Sequence, residues 1–199
     1  MYLGFISHKL IESTDKMQPN LPSKFKFLDE KKWKIFPGKL AGSSQPNSSD
    51  NLIAIYAQGI KSIYNLVPAK DKDPTLIKSS WESRFMEAHY ITEINNVTIA
   101  IEDFKAPTQE QLHLITDDVI VNIKKGKNIL VHCRAGMGRT GTILAAIYMK
   151  ACQKYDSDEA IEYIRVNYSP HAIETSSQEN ALKIFGENLS FCNHYMHKY

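Results

Sequence analysis

The chain predicts an α/β domain with a central, mostly parallel, twisted sheet of about four to five strands flanked by helices on both sides. Three observations carry this. Short β-rich runs alternate with longer helical patterns, the order that builds a parallel sheet under covering helices. One run, "NILVHC" at 128–133, is continuously apolar, as a strand covered on both faces must be. Shortly after it, "TILAAIYMKACQKY" stays apolar for about three turns, the pattern of a helix sunk in a core.

The elements follow in chain order. Residues 1–30, with two prolines in "MQPNLPSK" and scattered charges, hold no sustained period and predict an irregular lead-in, which leaves 31–199 as the domain proper. "KWKIFPGKLAGSSQP" contains two short apolar runs split by Pro37 and Gly38, hence a small hairpin or two short strands. Ser and Asp open "SSDNLIAIYAQG" and Gly59 closes it, the start and stop marks of a short helix. "IKSIYNLV" reads as a strand ending at Pro68, the polar "PAKDKDPTLIKSSWESRF" as loop, and "HYITEINNVTIAI" as renewed strand alternation. The clearest helix is "APTQEQLHLITDDVIVNIKKGKN". Thr108 and Gln111 match a capping box, Leu112, Ile115, Val119 and Ile123 form one stripe, and Gly126 follows. Two further helical patterns, "SDEAIEYIRVNY" and "SSQENALKIFGENLSFCNHYMH", close the chain.

Composition narrows the function classes. With 199 residues, 43% of them apolar, the chain is long enough for one well-packed domain. Its 24 basic and 22 acidic side chains leave a net charge of +2, so no nucleic acid or anionic membrane is demanded as partner. Any anion selectivity must be local. Cys133, Cys152 and Cys192 are odd in number and widely spaced, which argues against a disulfide framework and against zinc, and fits a reducing compartment. No window approaches the roughly 18 apolar residues of a membrane span. The expectation is a soluble monomer of a cytoplasm, its own or one into which it is delivered, with no cofactor and no metal.

The chemistry concentrates in "HCRAGMGRTG", residues 132–141. Gly136, Gly138 and Gly141 spell G-x-G-x-x-G, but a dinucleotide site needs a second strand after the helix, and here another helix follows. A Walker A loop fails because Thr142 stands where its lysine belongs. A phosphate cradle accounts for each residue. A strand ending at Cys133 and a helix beginning near Arg139 leave a turn whose backbone N–H groups, from Arg134, Ala135, Gly136, Met137, Gly138 and Arg139, converge on one point. In that field the Cys133 thiol is expected to ionise ~2–3 units below its free value of about 8.5. The Arg139 fork is suited to two phosphoryl oxygens. Thr140 is positioned to donate its hydroxyl to the sulfur as that sulfur leaves. His132 either orders the loop through backbone carbonyls or is an ordinary core histidine.

"VHCRAGMGRTGT" resembles the H-C-x5-R-[S/T] signature of the protein tyrosine phosphatase superfamily. "FPGKLAGSSQP", "IEDFKAP" and "SPHAIETSSQEN" resemble segments of its small atypical dual-specificity phosphatases, and the likeness spans roughly residues 33–186. The resemblance implies a phosphomonoester hydrolase working through a phosphocysteine, on phosphotyrosine and on phosphoserine or phosphothreonine in proteins. It also implies a general acid upstream of the cysteine. Asp103, followed by Pro107, matches that acid, and Glu102 is the close rival. For the water of the second half-reaction it implies Glu174 or Gln178, although Thr175 and Gln178 also fit a helix cap. Arg134 stands where phosphoinositide phosphatases carry a lysine, which keeps an inositol-phosphate substrate open, while Met137 lacks the second basic charge of that pattern. A phosphopeptide-binding module without turnover is a third reading, disfavoured because cysteine, arginine and acid are all present.

Overall fold

A computed structural model describes residues 20–28, 36–68 and 94–196. Along the chain lie β1 (Lys26–Phe27), β2 (Leu40–Ser43), α1 (Ser49–Ala57), β3 (Ile60–Asn65) and β4 (Asn95–Thr98). They are followed by α2 (Gln109–Lys124), β5 (Asn128–His132), α3 (Gly138–Cys152), α4 (Ser157–Asn167) and α5 (Ser176–Met196). The strands form one five-stranded sheet in the order β1-β2-β5-β3-β4. Three of its four pairings are parallel, and only β1 with β2 is antiparallel.

The expected doubly covered strand is β5, at the centre of the sheet. Its side chains alternate between two cores because successive residues of a strand point to opposite faces. Ile129 and Val131 join the large core with residues of α2, α3, α4 and α5, while Leu130 joins a smaller one with Leu52 and Ile55 of α1. Among the described helices one therefore covers one face, and four cover the other. Within the four, α3 is buried from Gly138 to Met149 and packs against α2, α4 and α5, so its position is fixed from several sides.

The cap on α2 forms as its sequence predicts. Thr108 Oγ1 accepts from the Gln111 N–H at 3.1 Å, and Gln111 Oε1 accepts from the Thr108 N–H at 3.0 Å. Leu112, Ile115, Val119 and Ile123 are buried, each contributing about 1.5–3 kcal/mol of hydrophobic stabilisation. Tyr64 of β3 ties this helix to the sheet by donating to Asp118 Oδ2 at 2.5 Å.

One expectation needs correction. The lead-in is not wholly irregular, because Lys26 and Phe27 pair with Gly42 and Ala41. A strand of two residues has no period to read, so pairing alone defines it. Of the two runs around Pro37 and Gly38, the first falls mostly within residues 29–35, which lie outside the described part; the second is β2, whose antiparallel neighbour is β1. The loop and early strand pattern expected at 69–93 also lie outside it, leaving Asn95–Thr98 as β4. No helix among the described residues is long and apolar enough to cross a membrane.

Candidate active site

Between the end of β5 and the start of α3 the chain turns sharply through Cys133–Met137. Gly136 has φ +73, and a Cβ there would come within 2.5–2.7 Å of the Ser43–Ser44 backbone, so both conformation and space demand glycine. Its N–H points back at Cys133 Sγ, at 3.2 Å. Cys133 itself is only 2% exposed. Arg134 and Ala135 are exposed, Met137 is half-buried and Gly138 is buried, so the loop forms a shallow bowl over the sulfur. It is moored from outside: the Gln45 N–H donates to Arg134 O at 3.2 Å, and the Tyr168 hydroxyl donates to Gly136 O at 2.6 Å.

Arg139, one residue into α3, is 2% exposed, and its guanidinium reaches across to a different loop. Nη1 donates to Ile101 O at 2.8 Å and Nη2 to Asp103 Oδ1 at 2.6 Å. A buried charge persists only where such partners replace water. Asp103 is 41% exposed, so it stands at the boundary between this buried cation and solvent. The other aspartates weighed from sequence are elsewhere: Asp117 pairs with Lys150, Asp118 accepts from Tyr64, and Asp71 and Asp73 lie outside the described residues.

The loop carrying Asp103 is tight. Phe104 has φ +58, a left-handed conformation uncommon for an aromatic residue, and its side chain is 63% exposed beside the aspartate. Two side chains from the start of α5 hold the loop: Thr175 Oγ1 donates to Phe104 O at 3.4 Å, and Gln178 Nε2 donates to Lys105 O at 3.3 Å.

Glu174 accepts from the Gly138 N–H through Oε2 at 2.8 Å, which puts its carboxylate at the first turn of α3. Arg165 of α4 clamps the backbone just before it, donating to Ala172 O at 3.2 Å and to Ile173 O at 3.1 Å. Ile173 sits at φ +63, and for a β-branched residue that is strain which the clamp must hold. Gln178 is fully buried and makes the expected cap: its N–H donates to Thr175 Oγ1 at 3.3 Å, and its Oε1 accepts from the Thr175 N–H at 3.4 Å. It also accepts from the Glu174 N–H at 2.9 Å.

Thr140 is buried, and its hydroxyl has no hydrogen-bond partner among the described residues. The expected bond to the sulfur is not made. His132 is fully buried, and its pKa is pushed down to about 3, first by burial, with a hydrogen bond to the Cys133 backbone opposing the shift and nearby Arg139 adding to it. The ring is therefore neutral near pH 7.

The fold thus gathers Cys133, Arg139, Asp103, Glu174 and Gln178 from three separate stretches of sequence. Tyr168, Arg165 and the Ile101 carbonyl belong to the same assembly and carry no local signal. Each is recognisable only by a partner that folding brings close.

Comparison with known proteins agrees with this geometry. A family model described as "Swiss Army Knife protein, DSP-PTPase phosphatase domain" matches residues 30–182. An uncharacterized protein of Methanocaldococcus jannaschii is 33% identical over 105 residues, covering 52% of this chain and 69% of that one. A second from the same organism is 35% identical over 105 residues, with 64% of its length covered. The crystal structure of Tk-PTP in the active form is 29% identical with a TM-score of 0.65, over 82% of this chain and 97% of that one. Kinase associated phosphatase shares the fold at a TM-score of 0.69 and 18% identity, over 86% of this chain and 98% of that one. With the matched segment spanning the cysteine loop, the buried arginine and the aspartate loop, the chain belongs to the DSP-PTPase family of dual-specificity and tyrosine phosphatases.

Proposed function

We propose that this phosphatase hydrolyses phosphotyrosine, and phosphoserine or phosphothreonine, in proteins by way of a phosphocysteine. One observation carries the reading: a buried Cys133 sulfur receives the Gly136 N–H inside a loop that ends at Arg139, whose guanidinium spans to Asp103.

The Cys133 thiolate attacks phosphorus from below the bowl. The loop amides, apart from the Gly138 N–H expected among them but held by Glu174, and the Arg139 fork take the phosphoryl oxygens, whose charge they stabilise in the loose transition state. An incoming phosphoryl dianion competes with Asp103 for the guanidinium. That competition frees the carboxylate, which takes up a proton from solvent and, as the acid, passes it to the leaving oxygen as the P–O bond breaks. In the second step water attacks phosphorus, the P–S bond breaks, the sulfur leaves as thiolate and Asp103 takes the water's proton. Thr140, with its buried hydroxyl unpaired, supplies a donor to the departing sulfur. For the water we assign Glu174, because its Oε2 is anchored on the Gly138 N–H, where the cysteine loop passes into α3. Gln178 has its amide engaged with Glu174, Thr175 and Lys105, which supports a role in holding those segments.

The shallow rim admits both aryl and alkyl esters. Exposed Phe104 beside Asp103 offers an apolar face to the side chain that bears the phosphate. Met137, standing where the phosphoinositide pattern has its second basic residue, favours a protein over a polyanionic inositol head group. The test is a panel of phosphotyrosine and phosphothreonine peptides, a phosphoinositide and an inositol phosphate, run on the wild type and on Cys133→Ser. Turnover of the peptides, lost by more than ~10⁴-fold in Cys133→Ser while peptide binding persists, is the expected result. Faster turnover of the phosphoinositide than of either peptide would overturn the substrate assignment.

A further inference from the structure

Every peptide unit of the bowl can present either its N–H or its carbonyl to a bound phosphate, and only one orientation is useful. In a trans peptide the two groups point in opposite directions. Among the described residues there is no cis bond, so the Gly136–Met137 unit obeys this rule. Its carbonyl is drawn toward buried Tyr168, whose hydroxyl donates to it at 2.6 Å. The N–H of Met137 therefore points the other way, away from buried Tyr168.

The approach of Tyr168 is built into a second element. A Cβ at Gly42, in β2, would lie 2.6 and 2.7 Å from two ring carbons of Tyr168. Only a residue without a side chain leaves the ring room to reach under the loop. The same strand's end, Ser43–Ser44, presses on Gly136 from outside. So the strand fixes the near side of the unit and the tyrosine fixes its carbonyl.

We infer that Tyr168 is a positioning residue for catalysis: by holding the Gly136 carbonyl on the buried side of the loop, it keeps the Met137 N–H aimed at the phosphoryl group. If that peptide turned over, a carbonyl oxygen would face the phosphate dianion in place of a donor. The ester would then meet repulsion where the wild type offers a hydrogen bond. Tyr168 touches neither substrate nor sulfur in this role. The inference rests on the cradle reading given above.

The test uses the full chain and inorganic phosphate as probe. In ¹⁵N-labelled wild type the Met137 amide proton should shift on phosphate titration. In Tyr168→Phe, which keeps the ring against Gly42, phosphate affinity and kcat/KM should each fall by roughly 3–15-fold, the worth of one well-placed hydrogen bond. Both KM and the phosphate Kd should rise, since the donor serves ground and transition state alike. A merely structural tyrosine would lower Tm and leave phosphate Kd unchanged, which overturns the inference. A Met137 amide that ignores bound phosphate overturns it as well, even if the variant does not fold. Failure of the wild type to bind phosphate at all would instead remove the cradle reading itself.

Discussion

The two loops that meet at Arg139 are built in opposite ways. The cysteine loop is five residues between a central strand and a buried helix, so its ends are fixed by the largest core in the molecule. The aspartate loop follows the edge strand β4 and stands at the surface, held by Arg139, Thr175 and Gln178 reaching in from α3 and α5. The contrast divides the labour. Binding of the phosphoryl group needs a pre-set cradle, whereas the acid must change partner during the reaction. A loop tethered by a few side-chain bonds can do that, and one sunk in a core cannot.

The largest expected effect breaks the contact between the two loops. Arg139→Lys keeps a cation but loses the planar fork that spans Ile101 O and Asp103 and would grip two phosphoryl oxygens. We expect kcat/KM to fall by about 10³-fold, measured on an aryl phosphate, with phosphate affinity falling too. Retention of more than a tenth of the activity would mean that the loop amides alone make the cradle.

Asp103→Asn separates the loops functionally while leaving the cradle in place. Turnover of alkyl phosphates should fall by about 10²-fold, and that of aryl phosphates with good leaving groups by less. Phosphate binding should stay equal or tighten, because Arg139 loses an anionic competitor. Were Asp103 only a counter-ion for the buried arginine, the loss would be the same for every leaving group. That outcome would transfer the acid role to Glu102.

The difference between the loops also explains what sequence could reveal. Cys133 and Arg139 were legible because strand, turn and helix place them within seven residues, where spacing is geometry. The parallel sheet, the α2 stripe and its Thr108 cap are equally local. Asp103 was legible only by likeness to a family, since nothing near it in the chain requires Arg139, 36 residues away. Tyr168 and Gly42 left no trace for the same reason. Each looks ordinary until the fold closes a distance of more than a hundred residues between them. The two-residue β1 was missed because an edge strand is defined by its neighbour and not by its own pattern.

The smallest effect probes how firmly the cysteine loop is seated, and it is read from stability against pH. His132 lies fully buried beneath that loop, with its folded pKa lowered from 6.5 to about 3. Below pH 6.5 the unfolded chain takes up a proton that the folded chain refuses until about pH 3, so proton uptake favours unfolding throughout that window. The contribution is complete above pH 6.5 and is lost as pH falls, by about 2 kcal/mol between pH 7 and pH 5. Urea unfolding of the wild type and of His132→Asn, which cannot titrate there, should show the variant losing about 2 kcal/mol less over the same two pH units. The exposed aspartate loop adds no such buried base, so the difference isolates the seat of the nucleophile. Equal slopes for the two proteins would mean that the imidazole is already wet in the folded state, and the cysteine loop would then be no better anchored than the loop of the acid.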